Sequence, residues 1–287
     1  MSSLMPHVVE AGVTGPTVVC LHANASTSSQ WRALMARLST DHRVLATDAL
    51  GAGRSPAWPS DRAVTLRDEV ALLEPVLAAA QAPLCLVGHS YGAAVALMAA
   101  LARPDRIRAL ALYEPTLFAL LEQEAPGQPA ADGIRWAAAD AAAAIERRDT
   151  AAAAERFIDY WMGPGSWRRM PAGRRAPIAA SMCNVAGWAG ALFSEPTPLA
   201  AFAALDMPVL CMVGAQSPAS SRGVTRLLAR ALPDVSVTEF DDLGHMGPVT
   251  HPDVVNDAVA AFLARCEAPL AQRAAMARPS PFASQHP

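Results

Sequence analysis

The chain has 287 residues, enough for one large α/β domain with an insertion or for two ordinary domains, and enough to bury a substantial core. Apolar residues make up 52% and charged residues 17%, a globular balance that argues against disorder. The net charge of −3 makes no electrostatic case for nucleic acid or an anionic membrane as partner, and a basic complement made entirely of arginine, without lysine, removes Schiff-base and P-loop chemistry.

The first ten residues lack the basic-then-apolar pattern of a signal peptide, and the apolar run at 93–102 is shorter than the about 20 residues a bilayer span takes. Cys20, Cys85, Cys183, Cys211 and Cys266 are widely spaced, with no C-x-x-C pair or His/Cys cluster, so no metal is expected. The expectation is a soluble, cytoplasmic protein with reduced thiols.

Short apolar runs at 17–21, 44–47, 84–87, 107–113, 209–213 and 235–240 read as buried parallel strands. Helical patterns at 30–38, 66–80, 93–103, 223–231 and 253–266 separate them. Strands alternating with helices predict βαβ units and a mostly parallel sheet, with right-handed crossovers placing helices on both faces. The interval 115–207 contains no convincing strand, only alanine-rich helical stretches such as 134–148 and 150–161. A structureless loop of that length is improbable, so a helical insertion is expected there, covering the catalytic edge of a core formed by 1–114 and 208–267. Residues 268–287, with Pro269, Pro279, Pro281 and Pro287, lack periodicity and predict a mobile tail.

Between the strand at 84–87 and the helix at 93–103 lies Gly88-His89-Ser90-Tyr91-Gly92. A G-x-S-x-G turn joining strand to helix holds its serine at a sharp corner with the hydroxyl exposed, and the glycines leave room for that corner. The following helix would aim its free N–H groups and partial positive charge at the serine, favouring an alkoxide or oxyanion there. Such a serine needs a base, because a free hydroxyl is a weak nucleophile. Reactive groups in parallel sheets gather beyond the carboxyl ends of strands, which selects His245, in Gly244-His245-Met246-Gly247 after the last strand, from the seven histidines. His89 belongs to the turn itself, where packing is the expected role.

These pieces, with Leu21-His22-Ala23-Asn24 and Trp31, Asp48-Ala49-Leu50-Gly51-Ala52-Gly53-Arg54-Ser55, and Pro104-Asp105-Arg106-Ile107, resemble the capped α/β-hydrolase superfamily along nearly the whole chain to about Cys266. The group includes esterases, epoxide hydrolases, haloalkane dehalogenases, haloperoxidases and carbon-carbon hydrolases. The resemblance implies that Ser90 is the nucleophile; epoxide hydrolases and dehalogenases carry aspartate there, which argues against those two activities. It further implies an oxyanion hole built from the backbone N–H of Tyr91 and that of Asn24 or Ala23, the latter replacing the usual glycine.

Most relatives place an acidic residue shortly after the seventh strand, where this chain has Ser217 in Gly214-Ala215-Gln216-Ser217-Pro218. Glu114, at the carboxyl end of the preceding strand, is the favoured substitute, since some family members supply the acid there and the order Ser90, Glu114, His245 is kept. Asp241 and Asp242 are the alternatives, expected instead to shape the histidine loop, and Asp48 is expected to be structural.

The function implied is a serine hydrolase acting on a small apolar ester or related acyl substrate, with no cofactor or metal. Carbon-carbon hydrolase, perhydrolase or haloperoxidase, acyltransferase and a non-catalytic ligand receptor are the alternatives. Trp161 and Trp188, among the aromatics Trp136, Trp167 and Phe193 of the insertion, are the candidates to line the substrate pocket.

Overall fold

The computed structural model describes residues 4–267; the tail expected to be mobile, 268–287, lies outside the described residues. Seven strands form one sheet in the order β1-β3-β2-β4-β5-β6-β7, where β1 is Val8–Ala11, β2 Thr17–Leu21, β3 Arg43–Thr47, β4 Leu84–His89, β5 Ile107–Tyr113, β6 Val209–Gly214 and β7 Val235–Phe240. All neighbours pair in parallel except β1, which runs antiparallel to β3 at the edge. The sequence reading omits β1 because four half-exposed residues make no continuous apolar run.

Five of the parallel strands, β2 to β6, are buried along nearly their whole length because both faces are covered. The sixth, β7, expected as a buried apolar run, is instead an edge strand with Ser236, Val237 and Glu239 exposed. Val19, Leu21, Leu86, Leu110, Leu112 and Cys211 point to one side, against α2 (Leu66–Ala79), α3 (Tyr91–Ala102) and α10 (Ala219–Ala231). Their sequence neighbours Val18, Cys20, Val87, Ala109, Ala111 and Leu210 point to the other, against α1 (Arg32–Leu38) and α12 (Pro252–Glu267). The chain runs outward from β2 to β3, then returns across β2 to β4, so the order reverses between β2 and β4. At such a switch point the loops leaving the carboxyl ends of the two strands separate and leave a crevice. Asn24 follows β2 and Ser90 follows β4.

Between β5 and β6 lie α4 (Ala119–Glu124), α5 (Asp132–Glu146), α6 (Thr150–Met162), α7 (Ser166–Arg169), α8 (Ala172–Ser181) and α9 (Val185–Phe193). Asp149 caps α6 by accepting from Ala152 N–H at 2.9 Å. The buried faces of α5, α6 and α9, including Ile134, Ala141, Phe157, Trp161 and Trp188, join the apolar core of the α3 side. Polar ties anchor the insertion: Tyr160 Oη and Ser220 Oγ hydrogen-bond at 2.8 Å, and Asn184 Nδ2 donates to Gly51 O at 3.1 Å.

The apolar stretch Ala172–Phe193, 22 residues with a mean hydropathy of 1.3 in its most apolar window, has the length and composition of a span that the run at 93–102 lacks. Here it is α8 and α9 joined by the 3₁₀ turn Met182–Asn184, with Val185, Trp188, Ala191 and Leu192 buried against the protein. The remaining helix, α11 (Gly247–Thr250), follows the His245 loop.

Candidate active site

Ser90 is the N-cap of α3, with φ 55° and ψ −115°. Holding a residue with a Cβ in that region costs about 1–3 kcal/mol, so the surroundings must enforce it. Ser90 N–H donates to Tyr113 O at 2.9 Å, and Ser90 C=O accepts from the N–H groups of Ala93 and Ala94, each at 3.1 Å. Gly88 and Gly92 supply the space: a Cβ on Gly88 would lie 2.5 Å from Ala93 Cα, and one on Gly92 2.3 Å from Leu21 O. Among the described residues the non-glycine positions with positive φ are Ala25, Ser90, Glu114 and Arg148. Ser90 and Glu114 are candidate site residues and Ala25 adjoins a third, so backbone strain concentrates at one place.

That place is a chain of hydrogen bonds. Ser90 Oγ lies 2.9 Å from His245 Nε2, and His245 Nδ1 lies 2.6 Å from Glu114 Oε2. All three side chains are buried. Glu114 Oε1 accepts from Gly214 N–H at 2.8 Å and from Ser217 Oγ at 2.5 Å. Ser217, standing where the family resemblance implies an acid, therefore hydrogen-bonds the Glu114 carboxylate just past the neighbouring strand. Burial pushes the Glu114 carboxyl upward, but the hydrogen bond and charge of His245, with Ser217 and Gly214, outweigh it and hold the group below its ordinary 4.5. Asp241 and Asp242 are exposed, and no hydrogen bond joins either to His245 among the described residues.

The histidine loop is fastened from beneath. Tyr113 Oη donates to Gly244 O, and His89 Nε2 donates to His245 O, both at 2.8 Å. Gln30 Nε2 donates to His89 Nδ1 at 3.1 Å. Burial, then the neighbouring His245, hold His89 well below the ordinary histidine value, so it stays neutral and can donate from one nitrogen while accepting at the other. His89 is thus more than packing: it links the base's loop to Gln30. Asp48, expected to be structural, accepts from the N–H groups of Ser28 at 2.6 Å and Arg54 at 2.9 Å, clamping two loops.

Gln30 also bears on the oxyanion donors. Its Oε1 accepts from Ala23 N–H at 3.2 Å, which occupies that donor. Among the described residues neither Asn24 N–H nor Tyr91 N–H has a protein acceptor. The Tyr91 side chain points into the core, where its hydroxyl donates to Glu69 Oε1 at 3.0 Å; Leu50 N–H donates to Glu69 Oε2 at 3.1 Å.

Burial raises the Glu69 carboxyl to about 7. In an unfolded chain it titrates near 4.5, so between these values the unfolded state binds fewer protons and stability falls as pH rises. The loss should be on the order of 3 kcal/mol across that window, and denaturant titrations of Glu69→Gln at pH 5 and pH 8 should show the slope removed.

Above Ser90 lies a small space of about 20 Å³ lined by Asn24, Thr116, Phe118, Phe157, Trp161 and Val185, among others. The Trp161 ring stacks on His245 with centroids 3.9 Å apart and planes 24° apart. Trp188, expected beside it, does not line this space; its ring packs toward Tyr91 at 6.4 Å, because α9 turns that face onto α3. Trp136 is 62% exposed on α5. The sequence reading missed Gln30 and Thr116. Position past a strand end marks Thr116, two residues beyond Glu114, whereas nothing local marks Gln30, whose partners are Ala23 in the loop after β2 and His89 at the end of β4.

Comparison with known proteins gives the same framework. The chain is 37% identical over 115 residues to a haloalkane dehalogenase from Agrobacterium fabrum, covering 40% of this chain and 37% of that one. It spans well under half the length of the first curated relatives it matches. A pimeloyl-(acyl-carrier protein) methyl ester esterase from Chromobacterium violaceum is 26% identical over 258 residues, 85% of this chain and 92% of the other. The crystal structure of a hydrolase from Pseudomonas aeruginosa superposes with a TM-score of 0.72 at 25% identity, covering 89% of this chain and 93% of that one. The model of the alpha/beta hydrolase fold matches residues 16–252, and with a reversing parallel sheet and a strained serine at its switch point, the chain belongs to the α/β-hydrolase family.

Proposed function

We propose that the chain is a serine hydrolase of the carboxylesterase type, with Ser90 as nucleophile, His245 as general base and acid, and Glu114 as the acid that orients the histidine. The observation that carries this reading is the unbroken series Ser90 Oγ, His245 Nε2, His245 Nδ1, Glu114 Oε2, with Glu114 Oε1 held by two further donors. His245 Nε2 takes the hydroxyl proton as Ser90 Oγ attacks the ester carbonyl carbon. The N–H groups of Tyr91 and Asn24 hold the oxyanion of the tetrahedral intermediate. Collapse expels the alkoxide, which leaves as the alcohol with the proton from His245. Water, deprotonated by His245, then attacks the acyl-enzyme, releasing the carboxylic acid and returning the proton to Ser90.

The helices between β5 and β6 act as a cap that excludes water from this chemistry, and Trp161 contributes a wall to the acyl pocket. Serine rather than aspartate at position 90 separates this reading from the dehalogenase chemistry named for one relative.

Intact mass after exposure to a fluorophosphonate tests the proposal. One adduct on Ser90, absent in His245→Ala, is the expected result, together with turnover in a panel of short-chain aryl esters. No adduct under conditions that label an active control would overturn the enzyme reading in favour of a ligand-binding protein.

A further inference from the structure

Apart from Ser90 itself and Asn24, whose N–H is assigned to the oxyanion, the walls of the space above Ser90 are formed mainly by apolar side chains, among them Phe118, Ile134, Phe157, Trp161, Val185 and Leu192. Thr116 interrupts them. It is 1% exposed, and its Oγ1, fully buried, has no hydrogen-bond partner among the described residues. A buried hydroxyl without a partner is destabilising, a cost a purely apolar pocket avoids by carrying valine instead. Thr116 lies two residues beyond Glu114, past the carboxyl end of β5, so the same strand end carries the proposed acid and this lining residue.

We propose that Thr116 is a specificity-determining residue, whose hydroxyl hydrogen-bonds an oxygen on the acyl chain, making the preferred substrates hydroxy- or oxo-acyl esters rather than plain alkanoyl esters. This rests on the serine-hydrolase reading above. The acyl group is the part that stays on Ser90 through both chemical steps, so the enclosed space belongs to it. A threonine hydroxyl can donate to an oxo oxygen or exchange bonds with a hydroxyl, which fits either member of the class. Discrimination follows from the partner: an oxygenated chain satisfies Oγ1, whereas a plain chain leaves it buried and unpaired. The aromatic and aliphatic walls supply contact area of the same kind to both chains and do not discriminate between them.

The test compares aryl esters of butanoic acid with those of 2-hydroxybutanoic, 3-hydroxybutanoic and 3-oxobutanoic acids, on the wild type, Thr116→Val and Thr116→Ser. Intrinsic reactivity differs among the esters but cancels when the kcat/KM ratio of oxygenated to plain ester is divided between variant and wild type. Thr116→Val should lower that ratio about 10- to 100-fold for at least one oxygenated ester, while Thr116→Ser retains it. Its Tm should match or exceed that of the wild type, since no internal hydrogen bond is lost. A ratio unmoved in Thr116→Val, or a fall in Tm with parallel losses on all esters, overturns the inference while leaving the hydrolase reading intact. Failure of every ester and of the fluorophosphonate overturns that reading and takes this inference with it.

Discussion

Glu114→Gln should lower kcat/KM by roughly 10⁴-fold, the size of effect expected when the histidine of a triad is held in the wrong tautomer. The carboxylate accepts from three donors: Gly214 N–H and Ser217 Oγ at Oε1, and His245 Nδ1–H at Oε2. An amide has only one oxygen. If that oxygen faces Gly214 and Ser217, the NH₂ faces His245 Nδ1, which must then accept, so Nε2 carries the proton and cannot take the one from Ser90. If the amide turns round, its NH₂ faces the Gly214 N–H, donor against donor, and Ser217 Oγ must give up donating in order to accept from it. Asp242→Asn should change kcat/KM less than about threefold, because that side chain is exposed and makes no hydrogen bond to His245.

Steady-state kinetics on both variants decides the assignment, and the reverse ranking would move the acid into the histidine loop. The same substitution has a signature in acid. The surroundings hold Glu114 below 4.5, so its contribution to stability is complete above that value and is lost as pH falls through the lowered folded value. Glu114→Gln should remove this part of the acid unfolding, visible as a flatter stability curve at low pH.

Gly92→Ala should cost about 3 kcal/mol or more, lowering Tm by roughly 6–12 °C, or leave no folded protein. The added Cβ would sit 2.3 Å from Leu21 O and 2.6 Å from His22 O, both backbone atoms at the end of β2. Neither can withdraw as a side chain would, because Leu21 is paired in the sheet on both sides, with Thr47 and with Gly88. Relief therefore requires moving α3 away from the sheet, and with it Ser90. Gly190→Ala is the control: the position is exposed on α9, with nothing within 4 Å of the new Cβ, and should gain about 0.5–1 kcal/mol from helix propensity. Differential scanning calorimetry of the pair separates a steric effect at the turn from a general intolerance of substituted glycine. Equal Tm changes would show that the close approach between Gly92 and β2 does not govern stability.

Much of the framework is legible from local pattern. Five of the six parallel strands are near-continuous apolar runs, since burial on both faces leaves no polar alternation, whereas β7 at the edge carries Ser236, Thr238 and Glu239; each is separated from the next by a helical period or by the long insertion. The glycines on either side of Ser90 identify the turn because a Cβ at either position would meet backbone. β1 escapes this reading because an edge strand needs only half its side chains covered. α10 begins at Ala219, four residues ahead of the expected 223, because Ser220 and Ser221 are buried polar residues that break the apolar period.

The order of strands and helices, the strained turn and the histidine beyond the last strand follow from the sequence by itself, because each depends on short-range periodicity or on one residue's backbone freedom. Only the tertiary structure decided which carboxylate meets His245, that Ser217 hydrogen-bonds this carboxylate, which N–H Gln30 occupies, and that Trp161 rather than Trp188 lies over the histidine. The physical reason is separation along the chain: Glu114 and Ser217 are 103 positions apart, and Glu114 and His245 131, so their meeting depends on the sheet aligning three strand ends. No local pattern carries that information.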